Sequence, residues 1–232
     1  MSDHPPTFAG FPRSAIEFFA ELADNNEKAW FEAHREDFQR SLQQPFQQLV
    51  AALTPSMLGI DPEFEVTPRT DRTISRIYRD TRFSKDKSPY RTTMWLTFKH
   101  FTDDWKDQPA YYFELRPTGY SSGMGFFDAG RPTMNALRRL ISQSPDEFRK
   151  AIALTDTTAG FLLGGDKYKR PVPGAPEVLE DWYQRKNLYL YRESPIDDRV
   201  FSPALVEDLV LGFEALAPLY HYLWIASERG RA

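Results

Sequence analysis

Alternation of apolar and polar residues between positions 92 and 127 is the pattern that most constrains how this chain can fold. In the segment Thr92 to Phe101 every second residue from Met94 to Phe98 is apolar, and Ala110 to Arg116 repeats the pattern. A period of two is typical of a β-strand that buries one face. We therefore predict two strands here, each with one side against a hydrophobic core.

Two neighbouring segments are predicted as further strands, Arg76 to Arg79 and Gly119 to Phe127. Strands that follow one another closely along a chain pair most simply in antiparallel order. We therefore expect an antiparallel sheet over about residues 64–127.

Helical periodicity predicts α-helices on both sides of this sheet. A first helix follows Pro12, and a long one is indicated by apolar residues that recur at spacings of seven, four, four, three and four from Phe31 to Leu53. Pro45 is expected to kink this long helix or to divide it in two. After Pro132 the chain is predicted to be helical again, at about residues 132–143, 145–154, 175–186 and 203–227.

Helices, then a sheet, then helices along one chain indicate an α+β fold. We expect a single domain over residues 1–232, in which the N- and C-terminal helices cover the sheet. Residues 1–12 are expected to form a partly loose lead-in to the first helix.

The composition excludes several classes of site. The chain contains no cysteine, which excludes disulfides, thiol nucleophiles and cysteine-based metal sites and favours a cytosolic location. Met1 to Phe11 has no apolar run of the signal-peptide type, and no stretch approaches 18 apolar residues, so we expect no membrane span. The four histidines, none at metal-ligand spacing, are His4, His34, His100 and His221. We therefore expect no metal and no cofactor.

One stretch, residues 69–91, is strongly basic although the net charge of the protein is −4. It holds eight Arg and Lys against three Asp, a net charge of +5, so the remainder of the chain carries −9. An acidic protein is not expected to bind nucleic acid over its whole surface. Arginine offers a planar fork for two oxygens and lysine a compact charge, which suits phosphate or carboxylate groups. Turn-forming residues from Ser84 to Pro89 predict a loop tip, where binding residues often lie.

The candidate ligand-binding residues are Arg76, Arg79, Asp80, Arg82, Lys85, Asp86, Lys87, Tyr90 and Arg91. Their cations would donate to a small anionic ligand, such as a phosphorylated metabolite or a nucleotide. Asp80 and Asp86 would orient the cations, or act as a base if the protein is an enzyme, a question that the sequence leaves open.

Three other interpretations of the basic stretch stay open. Its arginines and aspartates could pair with each other or with acidic helices and only fix the loop. It could belong to a non-catalytic interaction domain that docks an acidic protein partner, or it could make weak contact with nucleic acid. Aromatic residues surround the stretch, including Tyr78, Trp95 and Tyr112; exposed beside arginines they could stack on bases, but we interpret them as a second layer of the core.

Gly119 to Gly123 matches the G-x-S-x-G pattern of a nucleophile elbow. That motif needs a strand, a tight turn and a helix, followed by an acid and a histidine. Here Met124 to Phe127 continues as strand, and the only later histidine is His221. We interpret Ser121 as a small residue within a strand and not as a nucleophile.

The run Arg76 to Arg91 (RIYRDTRFSKDKSPYR) resembles the signature of a widespread bacterial family of uncharacterised proteins, the domain of unknown function 2461. Other stretches that resemble the family are Phe8 to Phe11 with Phe18 and Phe19, Asn25-Asn26 with Trp30-Phe31, Tyr168 to Pro171, and Ala217 to Leu219. The resemblance covers nearly the whole chain. It implies a cytosolic stand-alone domain and no particular activity.

One segment departs from the family pattern. Where relatives carry Asp-His-Pro after the Lys-Arg-Pro loop, this chain has Gly174 to Glu177, which contains no histidine. A role of that histidine in relatives would not carry over to this chain.

Overall fold

A five-stranded antiparallel sheet lies at the centre of the protein, in a computed structural model that describes residues 7–155 and 160–231. The strand order is β1-β2-β3-β5-β4. The strands are β1 Met94–Phe98, β2 Pro109–Arg116, β3 Gly119–Phe126, β4 Leu162–Gly164 and β5 Tyr189–Ser194. Helices accompany this sheet, so the predicted α+β class is confirmed.

The first two strands confirm the alternation argument. In β1 and β2 the burial alternates residue by residue, and Leu96 faces Phe113 across the β1–β2 pair. The ends of β1, β2 and β3 agree with the predicted segments to within three residues. Period-two alternation located β1 and β2 because each has one buried face, whereas β3 is buried along its whole length.

The predicted strand Arg76 to Arg79 is wrong. This segment makes only an isolated antiparallel bridge, between Tyr78 and Tyr90, flanked by a hydrogen bond from the Arg79 amide to the Pro89 carbonyl at 2.8 Å. An antiparallel ladder would need Pro89 to donate an amide hydrogen back to Arg79, and proline has none. The pairing therefore stops after one step, and the basic stretch stays irregular.

The sheet also extends beyond residue 127, which the sequence did not predict. Strand β5 pairs with β3, for example Tyr120 with Ser194, and β4 pairs with β5. The interval 175–186, predicted as one helix, holds only short helical turns. Strands β4 and β5 are too short for their own pattern to identify them, since their partners are distant in sequence.

The helices are shorter and more numerous at the N-terminal side than expected. The segment predicted as one long helix is divided near Pro45, which lies in the first turn of α4, and a π-helical turn, Gln39–Gln43, precedes it. The α-helices are α1 Ser14–Asp24, α2 Lys28–Ala33, α3 Arg35–Phe38, α4 Gln44–Ile60, α5 Arg131–Gln143, α6 Pro145–Ile152, α7 Glu180–Tyr183 and α8 Ala204–Arg231. Short 3₁₀ turns cover Trp105–Asp107 and Glu177–Leu179.

One hydrophobic core joins the sheet to helices from both ends of the chain. It runs from Phe8 to Ala226 and includes the inward residues of the strands. On this face Tyr111 of β2 contacts Phe213 of α8 with ring centroids 5.1 Å apart. The outward residues of β1 and β2 are only half-buried, so the helices cover one face of the sheet.

The prediction of a loose lead-in is wrong for residues 7–12. Phe8 and Phe11 are both buried in the core, and the Phe11 amide donates to the Val200 carbonyl at 2.8 Å. The Phe11 ring lies 5.0 Å from that of Phe46. Burial of two phenylalanines ties this segment to the fold, whereas residues 1–6 lie outside the described part.

Helix α8 has the length and apolar composition of a membrane-spanning helix, with a mean hydropathy of 1.3 over 18 residues. The core helix of a soluble protein passes the same test. Leu209, Leu216 and Leu223 recur every seventh residue of α8 and are buried in the core. The composition of α8 alone is therefore weak evidence for a membrane span.

We expect Phe11→Ala to lower the free energy of unfolding by about 3–5 kcal/mol, because it leaves a cavity among packed aromatic rings. Phe83→Ala is the matched control, since the Phe83 side chain is 95% exposed, and it should change stability by less than about 0.5 kcal/mol. Denaturant unfolding measures both. Equal stability of the two variants would show that the N-terminal segment is not part of the core.

Candidate functional site

A basic cleft of about 620 Å³ lies between the irregular basic stretch and the start of strand β1. All of its lining residues lie within one segment of 20 consecutive positions. The residues are Arg76, Tyr78, Arg79, Asp80, Thr81, Arg82, Arg91 and Trp95. Five of the nine candidate residues therefore share one cavity.

Three of the cleft arginines have an aspartate partner. Arg76 pairs with Asp71 and Arg79 with Asp86. Arg82 donates hydrogen bonds to Asp80 from Nε and Nη2, and the distance from Nη2 to Oδ2 is 2.7 Å. All of these aspartates belong to the basic stretch, and within the described residues no acid from a helix pairs with the cleft arginines. The interpretation that the stretch pairs internally is thus correct for these three arginines.

The aspartates of the network are held ionised. Hydrogen bonds from the Arg82 side chain and backbone lower the pKa of Asp80 to about 2. The Ser88 hydroxyl and amide, followed by Arg79, hold the pKa of Asp86 well below its usual range. Both side chains are therefore carboxylates at neutral pH, and each can orient an arginine.

Arg91 differs from the other cleft arginines because no carboxylate contacts it among the described residues. Its guanidinium carbon lies 4.9 Å from the centre of the Trp95 ring. Its Nε is buried and has no hydrogen-bond acceptor in the described part of the chain. A guanidinium that no carboxylate contacts keeps donors for an oxygen of a ligand in the cleft.

The remaining candidate residues do not line the cleft. Lys87 donates from Nζ to the Thr81 carbonyl at 2.9 Å, and Lys85 is exposed. Asp86 acts through Arg79. Tyr90 is 2% exposed and belongs to the core, where its ring stacks on Phe31 at 4.2 Å. These positions therefore shape or surround the cleft.

A second cavity, an aromatic groove of about 450 Å³, lies on the sheet face that the helices leave uncovered. Its lining is drawn from β1, β2, β3 and β5, from the loops after β1 and β3 and from the segment before β5. The residues are Trp95, Thr97, Trp105, Ala110, Tyr112, Glu114, Gly125, Phe126, Phe127, Asn187 and Tyr189. Sequence reasoning missed this groove because its residues are far apart in sequence, and Tyr189 is on a strand that was not predicted.

Burial changes the protonation of two side chains near the aromatic groove. It raises the pKa of Tyr112 to about 12, so the phenol stays neutral. It lowers the pKa of Lys99 to about 8, although the Lys99 Nζ lies only 3.3 Å from the centre of the Trp105 ring, a contact that favours the charged form. Lys99 is therefore a partly desolvated cation beside this wall of the groove.

A family model described as conserved hypothetical protein (DUF2461) matches residues 14–222. The chain belongs to this family. No curated protein matches the sequence. The resemblance identified from the sequence motifs is thus confirmed, and the family description names no activity.

Two of the stretches that resemble the DUF2461 family meet next to the basic cleft. The Asn26 side chain accepts a hydrogen bond from the Tyr90 amide at 2.9 Å and donates one to the Tyr90 carbonyl at 3.0 Å. Phe31, from the same stretch as Asn26, stacks on the Tyr90 ring. These contacts fix the backbone next to Arg91, so the two motifs form one structural unit.

Ser121 of the DUF2461 chain lies within strand β3, as the sequence interpretation expected. Its neighbours Tyr120 and Ser122 both face the opposite side of the sheet, because side chains alternate along a strand. The Tyr112 hydroxyl is hydrogen-bonded to Ser121. Helix α8, which carries His221, packs on the other sheet face, so no serine–histidine pair forms. Within the described residues no cluster of three or more His, Asp or Glu side chains could hold a metal.

We expect wild type and Ser121→Ala to be equally unreactive towards a fluorophosphonate probe. Ser121 has no histidine base beside it and does not lie in the tight turn of a nucleophile elbow. Mass spectrometry of the intact protein measures the labelling, with Ser84→Ala as a control serine on the exposed loop. Labelling of the wild type that disappears only in Ser121→Ala would contradict this interpretation.

Proposed function

We propose that this DUF2461 protein binds a small anionic ligand, one that bears a phosphate or carboxylate group, in the basic cleft. The observation that carries the proposal is Arg91, a guanidinium that lines the cleft and that no carboxylate contacts among the described residues. An anion in the cleft would supply the negative charge that this guanidinium lacks.

The charge balance of the stretch supports the same ligand class. Residues 76–91 contain six cations, and the aspartates that contact them are Asp71, Asp80 and Asp86. No carboxylate contacts Lys85, Lys87 or Arg91 among the described residues, and of these three Arg91 lines the cleft. A bound anion would pair with Arg91 and reduce the repulsion among the cations of the stretch.

The paired arginines remain able to contribute to binding. Arg82 uses Nε and Nη2 for Asp80, which leaves donors on its other terminal nitrogen. A guanidinium held in place by a carboxylate loses less conformational entropy when it binds a ligand. The aspartates thus position donors for the ligand.

The depressed pKa values argue against Asp80 or Asp86 as a general base. A base works best when its pKa lies near the working pH, and Asp80 titrates at about 2. The geometry therefore supports binding more than turnover by these residues.

A second candidate function is docking of an acidic protein partner. Phe83 is 95% exposed beside Arg82 at the tip of the basic stretch. An exposed aromatic residue among cations is typical of an interface anchor. Weak contact with nucleic acid would use the same cations, through the phosphates of its backbone.

We expect sodium phosphate to raise the melting temperature of the wild type above the value in sodium chloride at equal ionic strength, since a ligand of the native state stabilises by mass action. Arg91→Gln should abolish this difference while its free energy of unfolding in chloride stays within about 0.5 kcal/mol of wild type. Arg13→Gln is the matched control, because Arg13 also stacks on an aromatic ring, 4.4 Å from Phe201, but outside the cleft.

The control variant should keep the full phosphate effect. Stabilisation that is equal in phosphate and chloride, or that survives in Arg91→Gln, would overturn the proposal. In either case, binding of a polyglutamate peptide that is lost in Phe83→Ala would favour the protein-docking function instead.

A further inference from the structure

We infer that the ligand is a nucleoside 5′-phosphate whose phosphate occupies the basic cleft and whose base lies in the aromatic groove. The inference rests on the proposed function and adds the chemical class of the ligand. What carries it is the adjacency of two cavities of different chemistry, one rich in arginine and one rich in aromatic rings.

Trp95 connects the two cavities, since it lines both of them. It is an outward residue of β1, between the buried Met94 and Leu96. The Arg91 guanidinium lies over its ring at 4.9 Å. A ligand whose anionic group contacts Arg91 is therefore placed at the entrance of the aromatic groove.

The aromatic groove has the chemistry of a stacking site. Trp105 and Phe127 lie together on one side with ring centroids 5.2 Å apart, and Tyr112 and Tyr189 also line it. At Gly125 a Cβ would come within 2.4 Å of the Tyr189 Cα, so the absence of a side chain there lets Tyr189 lie close against β3. A groove lined by aromatic rings can hold a flat ring, and a volume of about 450 Å³ is within the range of ligand cavities.

Glu114 supplies the polar selectivity of the groove. It is the single carboxylate among the groove residues, and its side chain is 28% exposed. One of its oxygens lies 3.9 Å from the Arg116 Nε, which leaves acceptor positions for a ligand. Glu114 lies opposite Trp95 across the β1–β2 pair, next to the junction of the cavities. A carboxylate accepts hydrogen bonds only, so it favours a ring that presents N–H donors side by side. Guanine offers two such donors, a ring N–H and an amino group, and is the base that fits best.

Placement of the charges agrees with this orientation of the ligand. The cleft holds the arginines that would meet the phosphate, while Glu114 would repel a phosphate from the groove. A peptide or a second copy of the chain would not need both a cationic pocket and a slot for one ring. The pair of cavities therefore fits one bipartite small molecule.

The test measures dissociation constants by calorimetry for GMP, AMP and ribose 5-phosphate. We expect GMP to bind at least about tenfold tighter than ribose 5-phosphate, because stacking of a base on aromatic side chains contributes a factor of this size or more. Trp105→Leu and, separately, Tyr189→Leu should remove that gain and leave the affinity for ribose 5-phosphate unchanged. Glu114→Gln should lower the affinity of the protein for GMP to its affinity for AMP.

Phe101→Leu is the matched control, because Phe101 is an exposed aromatic residue, 61% accessible, on the loop after β1 but outside the groove. It should preserve the GMP gain. Equal affinities for GMP and ribose 5-phosphate in the wild type would overturn this inference and leave the anion site standing. Absence of binding by all three compounds would overturn the proposed function together with this inference.

Two further outcomes would also overturn the inference that the base lies in the aromatic groove. A GMP gain that persists in both Trp105→Leu and Tyr189→Leu would show that the base does not use the groove, which overturns the inference. Light scattering that shows a wild-type dimer dissociated by Trp105→Leu would assign the groove to a second copy of the chain and overturn it as well.

Discussion

The hydrogen-bonded pairing between the Asn26 side chain and the Tyr90 backbone is the interaction on which the basic cleft depends. The stretch from residue 61 to 93 contains no regular strand or helix, and isolated bridges such as that between Ile74 and Leu96 pair it with the sheet. Asn26 satisfies both the amide and the carbonyl of Tyr90 across 64 positions of sequence, and the Tyr90 ring stacks on Phe31. Arg91 follows directly and is thereby held beside strand β1.

The ion pairs of the basic stretch set geometry more than stability. Arg82 and Asp80 are largely exposed, with side-chain accessibilities of 78% and 55%, and exposed pairs contribute only about 0–1 kcal/mol each. Their value is that they orient guanidinium groups around a cleft. The interpretations of the stretch as an internal network and as a binding site are therefore compatible, because the network leaves Arg91 without a carboxylate.

The sequence predicted the parts of the structure that depend on local patterns and missed those that depend on contacts between distant residues. Strands β1 and β2 were predictable because their alternation is local, whereas β5 depends on pairing with β3, some seventy residues earlier. The cleft was predictable in part because its arginines are adjacent in sequence. Tyr90 was placed among ligand residues because sequence spacing does not show that it points into the core. The aromatic groove left no local signal, since its walls meet only after the sheet forms.

The most direct test of the central claim is a crystal structure of the protein soaked in arsenate, whose anomalous scattering identifies the anion. We predict one ordered anion in the basic cleft, with an oxygen within about 3 Å of a guanidinium nitrogen of Arg91 and others on the neighbouring arginines. An occupied anion site elsewhere, with no anion at Arg91, would contradict this prediction.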